Sequence, residues 1–274
     1  MSKWIIAAFA LLCGISCLGQ DSPEHVTVPL TDPSRPATVK ASLLNGGITV
    51  RGYAGKEIIV DTSGGGEHAV SRHSSPPEAS GLHRIDSGRT GLKVEEADNR
   101  VDIKMEPWGG GGNLILQVPV HTSLKLHTVN GGNVTVDGVE GEIEVEALNG
   151  AVTLNSVSGA ALVHALNGTV KATFQRIDPS KAMSFSSLNG NIDVTLPSDA
   201  RATLNMKSDQ GEIFTDFDMK VNAKGNMPNI EDNRGKNGKF RLKFDRGMSA
   251  TINGGGTAMQ LTTFNGNIYL RKGR

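Results

Sequence analysis

The chain has 274 residues and no formal net charge, because 28 Lys and Arg residues balance 28 Asp and Glu residues. This balance gives no electrostatic reason to expect nucleic acid as a partner, since the phosphate backbone is bound mainly through Lys and Arg. Gly reaches 34 residues while aromatic residues make up only 4%. This composition is typical of a repeat architecture with many tight turns rather than of an enzyme with an aromatic-rich core.

The first nineteen residues have the three parts of a secretory signal peptide. Lys3 supplies the positive start, residues 4–12 form a short apolar run, and small or polar residues lead to Gly19. The apolar run is too short to span a membrane, which takes roughly 18 or more apolar residues. The pattern predicts export to the periplasm, the outer surface or the medium, with a signal peptide at 1–19 and a mature chain beginning at Gln20.

Both cysteines of the chain, Cys13 and Cys17, lie in this leader. The mature chain therefore has no thiol for a disulfide, a metal site or a catalytic nucleophile. A lipid anchor at Cys17 is the competing interpretation. A lipoprotein signal usually has Leu three residues before the Cys, where this chain has Gly14, so the residues favour cleavage after Gly19.

An Asn-Gly marker recurs along the rest of the chain. It is preceded by Leu, Val or Phe, and the Asn positions are Asn45, Asn130, Asn149, Asn167, Asn189 and Asn265. Asp209-Gln210-Gly211 is a degenerate copy, so the spacings in the densest stretch are about 18–22 residues. Apolar residues alternate with mostly polar ones on both sides of each marker, which predicts two short strands per unit with one buried and one wet face.

The repeat predicts an all-β fold, a parallel β-solenoid resembling a β-helix, right-handed by general preference, as one domain over residues 20–274. Residues at the same position in successive units have the same polarity. This is expected if stacked coils lie ~4.8 Å apart and the Asn side chains form a ladder. A chain of antiparallel hairpins is the alternative, because Asn-Gly is also a strong hairpin signal. Residues 63–89 and 222–239 lack the pattern and are predicted to be exposed loops. In the degenerate copy, Ile213 is expected to face inward together with Phe214 or Thr215.

The opening Asn-Gly-Gly-Ile-Thr-Val-Arg-Gly at 45–52, the run at 129–150 and the run at 185–197 resemble the bacterial "putative adhesin" family, a domain of unknown function made of repeated β-strands. The resemblance covers most of residues 39–270. It implies a β-helical cell-envelope protein without an assigned activity, and it carries no catalytic or binding motif over to this chain.

One column of outward residues invites a metal hypothesis. The position three residues before the Asn holds His127, Glu146 and His164 in three consecutive units. The two histidines would stand ~9.6 Å apart at their backbones, whereas zinc needs nitrogens at about 2.0–2.1 Å. A solvated column with a carboxylate between two imidazoles is the simpler interpretation, and no metal or other cofactor is predicted.

An acidic strand invites a glycosidase hypothesis. Glu140, Glu142, Glu144 and Glu146 alternate with apolar residues, at a separation that two catalytic carboxyl groups would tolerate. Nothing in the sequence would give two of these acids the different pKa values that a glycosidase needs. Lys125 is expected one unit away from Glu144. Surface ion pairing is therefore the favoured interpretation.

The sequence predicts an exported, non-catalytic cell-envelope protein that acts as an adhesin-like binding or structural surface. Its expected partner is a cell-envelope glycan, a surface protein or another copy of the chain. Two alternatives remain: a β-helix carbohydrate-active enzyme, and an accessory protein that senses envelope stress.

Overall fold

The computed structural model describes residues 25–63, 91–105, 112–222, 229–233, 239–243 and 247–273. The predicted leader, with Cys17, and residues 64–89 of the first predicted loop lie outside these ranges. Every regular element within them is a strand, which confirms the all-β class. The described residues contain no helix with the length and apolarity needed to cross a bilayer.

The strands in chain order are β1 (His25–Pro29), β2 (Ala37–Asn45), β3 (Ile48–Tyr53), β4 (Glu57–Ser63), β5 (Leu92–Ala97), β6 (Arg100–Met105), β7 (Asn113–Pro119), β8 (Thr122–Asn130), β9 (Val134–Asp137), β10 (Glu140–Asn149), β11 (Val152–Asn167), β12 (Val170–Ile177), β13 (Met183–Asn189), β14 (Ile192–Leu196), β15 (Ala202–Ser208), β16 (Ile213–Thr215), β17 (Met219–Asn222), β18 (Asn229–Asn233), β19 (Lys239–Lys243), β20 (Met248–Ile252), β21 (Thr257–Asn265) and β22 (Ile268–Lys272).

Most of these strands belong to one of two faces. Face A contains β6, β2, β8, β10, the second half of β11, β13, β21 and β15, and face B contains β7, β3, β9, the first half of β11, β12, β14, β22 and β16. Consecutive strands within each face pair in parallel. One strand from each face makes a rung, and in most rungs the two strands meet at an Asn-Gly corner.

The strands that flank a corner pair with neighbouring rungs. In face A, Val145 of β10 lies beside Val163 of β11, and in face B, Val152 of β11 lies beside Val134 of β9. In a chain of hairpins the two flanking strands would instead pair with each other, and no such antiparallel pair occurs at the described corners. The parallel pairing places residues about twenty positions apart side by side through the tandem part of the chain.

The rungs do not follow chain order at the two ends of the stack. From one end, the eight described rungs are formed by residues 100–105 with 113–119, and then by residues 37–53, 122–137, 140–155, 158–174, 183–196, 257–272 and 202–215. If the stacked units followed chain order, the degenerate copy around Gln210 would lie directly beside the unit of Asn189. Instead, the last unit of the chain lies between them.

A crossover after β20 explains this order. Strand β20 runs antiparallel to β15, and β21 then runs parallel to β15 on its other side. Asn253, Gly254 and Gly255 have positive φ angles of 48°, 86° and 83° and carry the chain past the start of β15. The Asn253 side chain holds this crossing by donating to the carbonyl oxygen of Ala200 at 2.8 Å. The final unit therefore enters the stack as an internal rung.

Antiparallel strands cover most of the stack ends. At the first rung, β5 pairs with β6, while β4 pairs with β7 and β1 with β4. At the last rung, β20 pairs with β15 and β17 with β20. Within the loop predicted for 222–239, β18 pairs antiparallel with β19, while residues 223–228 and 234–238 are outside the described ranges.

Columns of aliphatic side chains fill the interior between the faces. The predicted inward residues of face A are at most 2% exposed: Val39, Leu124, Ile143, Ala161, Met183, Met259 and Leu204. In the degenerate copy, the register aligns Thr215 with the inward Leu270 and Phe214 with the outward Tyr269. Both Phe214 and Thr215 are exposed and Ile213 is only half-buried, because this rung ends the stack.

The predicted Asn ladder runs along the corners. Asn167 donates to the Oδ1 atom of Asn149 at 3.0 Å, and Asn189 to that of Asn167 at 2.7 Å. Asn265 continues the ladder to Asn189 at 2.7 Å, and Asn130 donates to Asn45 at 3.2 Å. Asn149 instead donates to the Val129 carbonyl oxygen at 3.2 Å, because the corner after Asn130 is one residue longer than its neighbours.

The corner glycines are required by close stacking. A Cβ atom on Gly150, Gly168, Gly190 or Gly266 would lie 2.1–2.2 Å from the carbonyl oxygen of the glycine one rung away. None of these four glycines has a positive φ. At these four corners the marker contains Gly because each corner backbone lies directly on the next.

Buried hydroxyl groups lie just inside the corners. Thr263 donates to the Gly190 carbonyl oxygen at 2.9 Å, Ser187 to that of Gly168 at 3.0 Å and Ser208 to that of Gly266 at 2.8 Å. A buried carbonyl oxygen without a donor costs about 1–3 kcal/mol. These hydroxyls therefore stabilise the carbonyl groups that the corners turn inward.

We expect Thr263→Val, which keeps the side-chain shape, to lower the free energy of unfolding by about 1–2 kcal/mol, because the Gly190 carbonyl loses its donor. Urea unfolding followed by circular dichroism measures this change. Thr262→Val is the matched control, since Thr262 is the outward neighbour and its substitution should cost less than about 0.5 kcal/mol. Equal losses for the two variants would contradict the role of the hydroxyl.

Candidate binding surface

The column predicted from the repeat is present on face A. His127 and His164 occupy the rungs on either side of Glu146. His127 Nδ1 lies 3.3 Å from Glu146 Oε2, whereas His164 Nδ1 lies 2.8 Å from the hydroxyl of Ser186. The Glu146 carboxylate thus contacts one imidazole rather than both, and His164 turns away from it toward the rung that contains Ser186.

This arrangement differs from a metal centre. The two histidines are separated by two rungs, ~9.6 Å, and their hydrogen bonds direct them apart. No group of three or more His, Cys, Asp or Glu side chains among the described residues is placed to hold a metal ion. The chemistry available in this column is hydrogen bonding and weak charge pairing.

Cations from neighbouring segments contact the acidic strand. Lys125 lies 2.7 Å from Glu144, which confirms the predicted pair. Arg176 contacts Glu140 at 2.8 Å and Lys181 contacts Glu142. The hydrogen bond with Glu144 raises the pKa of Lys125, and the hydrogen bond with Glu142 raises that of Lys181. Both lysines therefore remain cationic, and the strand forms part of an exposed network of paired charges.

Two adjoining shallow hollows lie on this network. One has a volume of about 260 Å³ and the other about 400 Å³, and both are lined in part by Ser123, Glu142, Ala160 and Lys181. The larger hollow also includes Leu162, which is 50% exposed. Small residues beside long charged ones create the depression. The larger hollow combines charged side chains with the exposed Leu162, and this mixture is suited to weak binding of a polar ligand.

Face B carries outward polar side chains that align from rung to rung. Thr49, Thr135 and Thr153 form one column over three consecutive rungs. Asn155 donates to Asp137 at 2.7 Å across adjacent rungs, and Arg271 to Asp193 at 2.8 Å. Hydroxyl, amide, carboxylate and guanidinium groups thus repeat at the spacing of the rungs, ~4.8 Å.

An aromatic pair lies near the end of face B. The rings of Phe214 and Tyr269 stack with centroids 5.2 Å apart and an interplanar angle of 11°. Arg271 lies over the Tyr269 ring at 5.3 Å, and Asn267 donates to the Tyr269 hydroxyl at 3.0 Å. Phe214 is 44% exposed and lines a cavity of about 660 Å³ at the end of the stack.

Sequence reasoning missed this aromatic pair. Phe214 was considered as an inward residue, and no aromatic surface was expected. The signal was present in the spacing: Phe214 follows Gln210 by four residues, as Tyr269 follows Asn265. Equal offsets place the two rings in one outward column once the two units are adjacent.

The model of the family described as Toastrack DUF4097 matches residues 11–247. The chain belongs to the Toastrack DUF4097 family. Its membership confirms the resemblance drawn from the Asn-Gly repeats, and the family description assigns no activity. No curated protein matches the chain.

Two solved structures are similar to this Toastrack chain. One is a "putative cell adhesion protein" from Clostridium sporogenes ATCC 15579, with 10% identity, a TM-score of 0.42, and coverage of 92% of this chain and 100% of the other. The second is a "putative adhesin" from Bacteroides fragilis NCTC 9343, with 10% identity, a TM-score of 0.41, and coverage of 92% and 98%.

Proposed function

We propose that this Toastrack protein is an exported, non-catalytic cell-envelope protein whose right-handed parallel β-solenoid presents face B as an adhesin-like binding surface. The observation that carries the proposal is one column of outward polar side chains across face B that ends at the stacked Tyr269 and Phe214. It consists of Thr49, Thr135, Thr153, Lys171 and Asp193. Repeat folds make extended binding surfaces from many similar, individually weak contacts. The expected partner is a cell-envelope glycan or a surface protein.

The charge pattern supports face B over face A. The acidic strand of face A is already in contact with Lys125, Lys181 and Arg176, so a ligand would have to displace these pairs. In the described part of the chain, face B has one such ion pair, Arg271 with Asp193, and it adds a column of threonine hydroxyls and the exposed Phe214 ring. An aromatic ring contributes a large apolar contact without the desolvation of a charge.

Retention on envelope fractions and purified glycans tests the proposal. The chain from residue 20 onward, which contains every described residue, is immobilised and probed with each fraction. We expect at least one fraction to be retained, and retention of none would contradict a binding function. Release of reducing ends or unsaturated products from uronates or neutral glycans would instead favour the carbohydrate-active enzyme.

The distribution of binding energy gives a sharper prediction. We expect the double variant Phe214→Ala with Tyr269→Ala to weaken binding about tenfold, because buried aromatic residues dominate most interfaces. A single Thr135→Ala change should weaken binding less than about threefold. The matched control on face A is Lys125→Ala with Lys181→Ala. Titration of a retained ligand measures all three, and a larger loss for the face A variant would move the site to the acidic strand.

A further inference from the structure

An exposed apolar ridge runs along the corners, immediately before the Asn ladder. It consists of six residues from six consecutive rungs: Leu44, Val129, Leu148, Leu166, Leu188 and Phe264. Leu44, Leu188 and Phe264 are 42%, 41% and 43% exposed, and the other three are half-buried. In the last rung this position holds the charged Asp209, so the ridge ends there.

The ridge is distinct from the surface assigned to binding. Isolated exposed leucines are ordinary, whereas a contiguous apolar line marks an interaction site. Five intervals of ~4.8 Å make this line ~24 Å long. Its side chains point away from the interior between the faces and away from the outward columns of face B.

The spacing of the ridge selects the kind of partner. An α-helix offers side chains at intervals of about 5.4 Å per turn, which amounts to ~27 Å over five intervals. An extended strand offers same-side residues every ~6.6 Å, or ~33 Å over five intervals. A stack of β-strands repeats at the ~4.8 Å of the ridge itself and matches it along its whole length. The ridge is itself an apolar column with this spacing, so the ridge of a second copy of the chain would match it.

We propose that two copies of this chain associate through their ridges, antiparallel to each other, about a two-fold axis that passes between Leu148 and Leu166. Each ridge residue then meets one of different number in the partner copy: Leu148 faces Leu166, and Leu44 faces Phe264. Isologous contacts of this kind close on themselves. The association therefore stops at a dimer.

The column beside the ridge is compatible with the antiparallel arrangement. Glu146 of one copy lies opposite His164 of the other at the centre, and Ser42 lies opposite Thr262 near the ends. In a parallel arrangement this column would meet the Asn ladder instead, because the axis would exchange the two flanks of the ridge. Opposed carboxylate and imidazole groups favour one register over its alternatives.

The apolar area of the ridge implies a weak dimer. Six partly exposed side chains bury on the order of a few hundred Å² on each copy, less than the ~800 Å² per partner of standard interfaces. We therefore expect dissociation in roughly the micromolar range. The chain would be a dimer where it is concentrated and a monomer where it is dilute.

Sedimentation equilibrium of the chain from residue 20 onward, over a wide range of concentrations, tests the association. We expect a monomer–dimer equilibrium that Leu166→Asp weakens at least tenfold, because the substitution buries two carboxylates at the axis. Leu162→Asp is the matched control, since Leu162 is the more exposed leucine but lies outside the ridge. Circular dichroism and thermal unfolding establish that each variant is folded.

Disulfide trapping tests the arrangement, because the chain from residue 20 has no cysteine. A chain carrying Leu44→Cys and one carrying Phe264→Cys are oxidised separately and together. We expect a disulfide dimer only from the mixture, since the two positions meet across the axis. Self-trapping of the Leu44→Cys chain would overturn the antiparallel arrangement. A monomer at every concentration, or a dimer equally weakened by Leu162→Asp, would overturn the ridge as a dimer interface.

Discussion

Replacing Gly168 by alanine is expected to lower the free energy of unfolding by about 3 kcal/mol or more. The new Cβ atom would lie 2.1 Å from the carbonyl oxygen and 2.6 Å from the carbonyl carbon of Gly150. Both atoms belong to the backbone of the adjacent corner, so the clash is relieved only if the two rungs separate. Overpacking a rigid interior typically costs about 1–3 kcal/mol, and separating rungs also weakens the Asn ladder at Asn167.

Gly131→Ala is the matched control for this substitution. Gly131 also lies at a corner, with a φ of 71°, and an added Cβ atom would meet nothing within 4 Å. Only the left-handed backbone conformation then penalises alanine, at about 1–2 kcal/mol. Urea unfolding midpoints compare the two variants. If Gly131→Ala were as destabilising as Gly168→Ala, close stacking of the corners would not be the reason for the glycine column.

Ending the chain at Asn253 is expected to abolish cooperative folding of the C-terminal half. The truncation removes Met259, Leu261, Ile268 and Leu270, all at most 1% exposed, from between two other rungs. Burial of a large apolar side chain contributes about 1.5–3 kcal/mol, so the four together approach the total stability of a typical domain, about 5–15 kcal/mol. The last rung would also lose its parallel neighbour.

Removal of the N-terminal edge strand controls for the effect of shortening. A chain beginning at Asp32 lacks β1, which pairs only with β4 among the described strands, and it loses two buried side chains, Val28 and Leu30, from the edge of the core. Calorimetry should show a modest fall in the melting temperature for this variant and a lost or broadened transition for the chain ending at Asn253. A truncated C-terminus that melted like the full chain would contradict an internal position of the last rung.

The tandem part of the fold was predictable because its contacts follow a constant offset. Lys125 and Glu144 are nineteen residues apart and form the expected ion pair, since consecutive units there are consecutive rungs. The same rule found the Asn ladder and the aliphatic columns. The alternation of apolar and polar residues indicates which side of a strand is buried, and the regular spacing of the markers indicates which strands are adjacent.

The order of the terminal rungs was not predictable from the offset. Unit 257–272 is internal because the chain crosses over the start of β15 at Asn253, and the repeat pattern carries no record of that crossing. For the same reason the pairing of Phe214 with Tyr269 was missed, since it depends on two units that are not consecutive in the chain. The hydrogen bond of His164 was not predictable either, since the offset places Glu146 beside it but does not specify that its ring nitrogen contacts the Ser186 hydroxyl on the other adjacent rung.

Pulsed electron paramagnetic resonance distances from Ser42 to Thr262 and from Ser42 to Lys207 test the stacked order most directly. These residues occupy one outward column, on the second, seventh and eighth rungs. Doubly labelled chains, diluted in excess unlabelled chain, should give backbone separations of ~24 Å to residue 262 and ~29 Å to residue 207. A shorter distance to residue 207 than to residue 262 would contradict the insertion of the final unit and the continuous columns that depend on it.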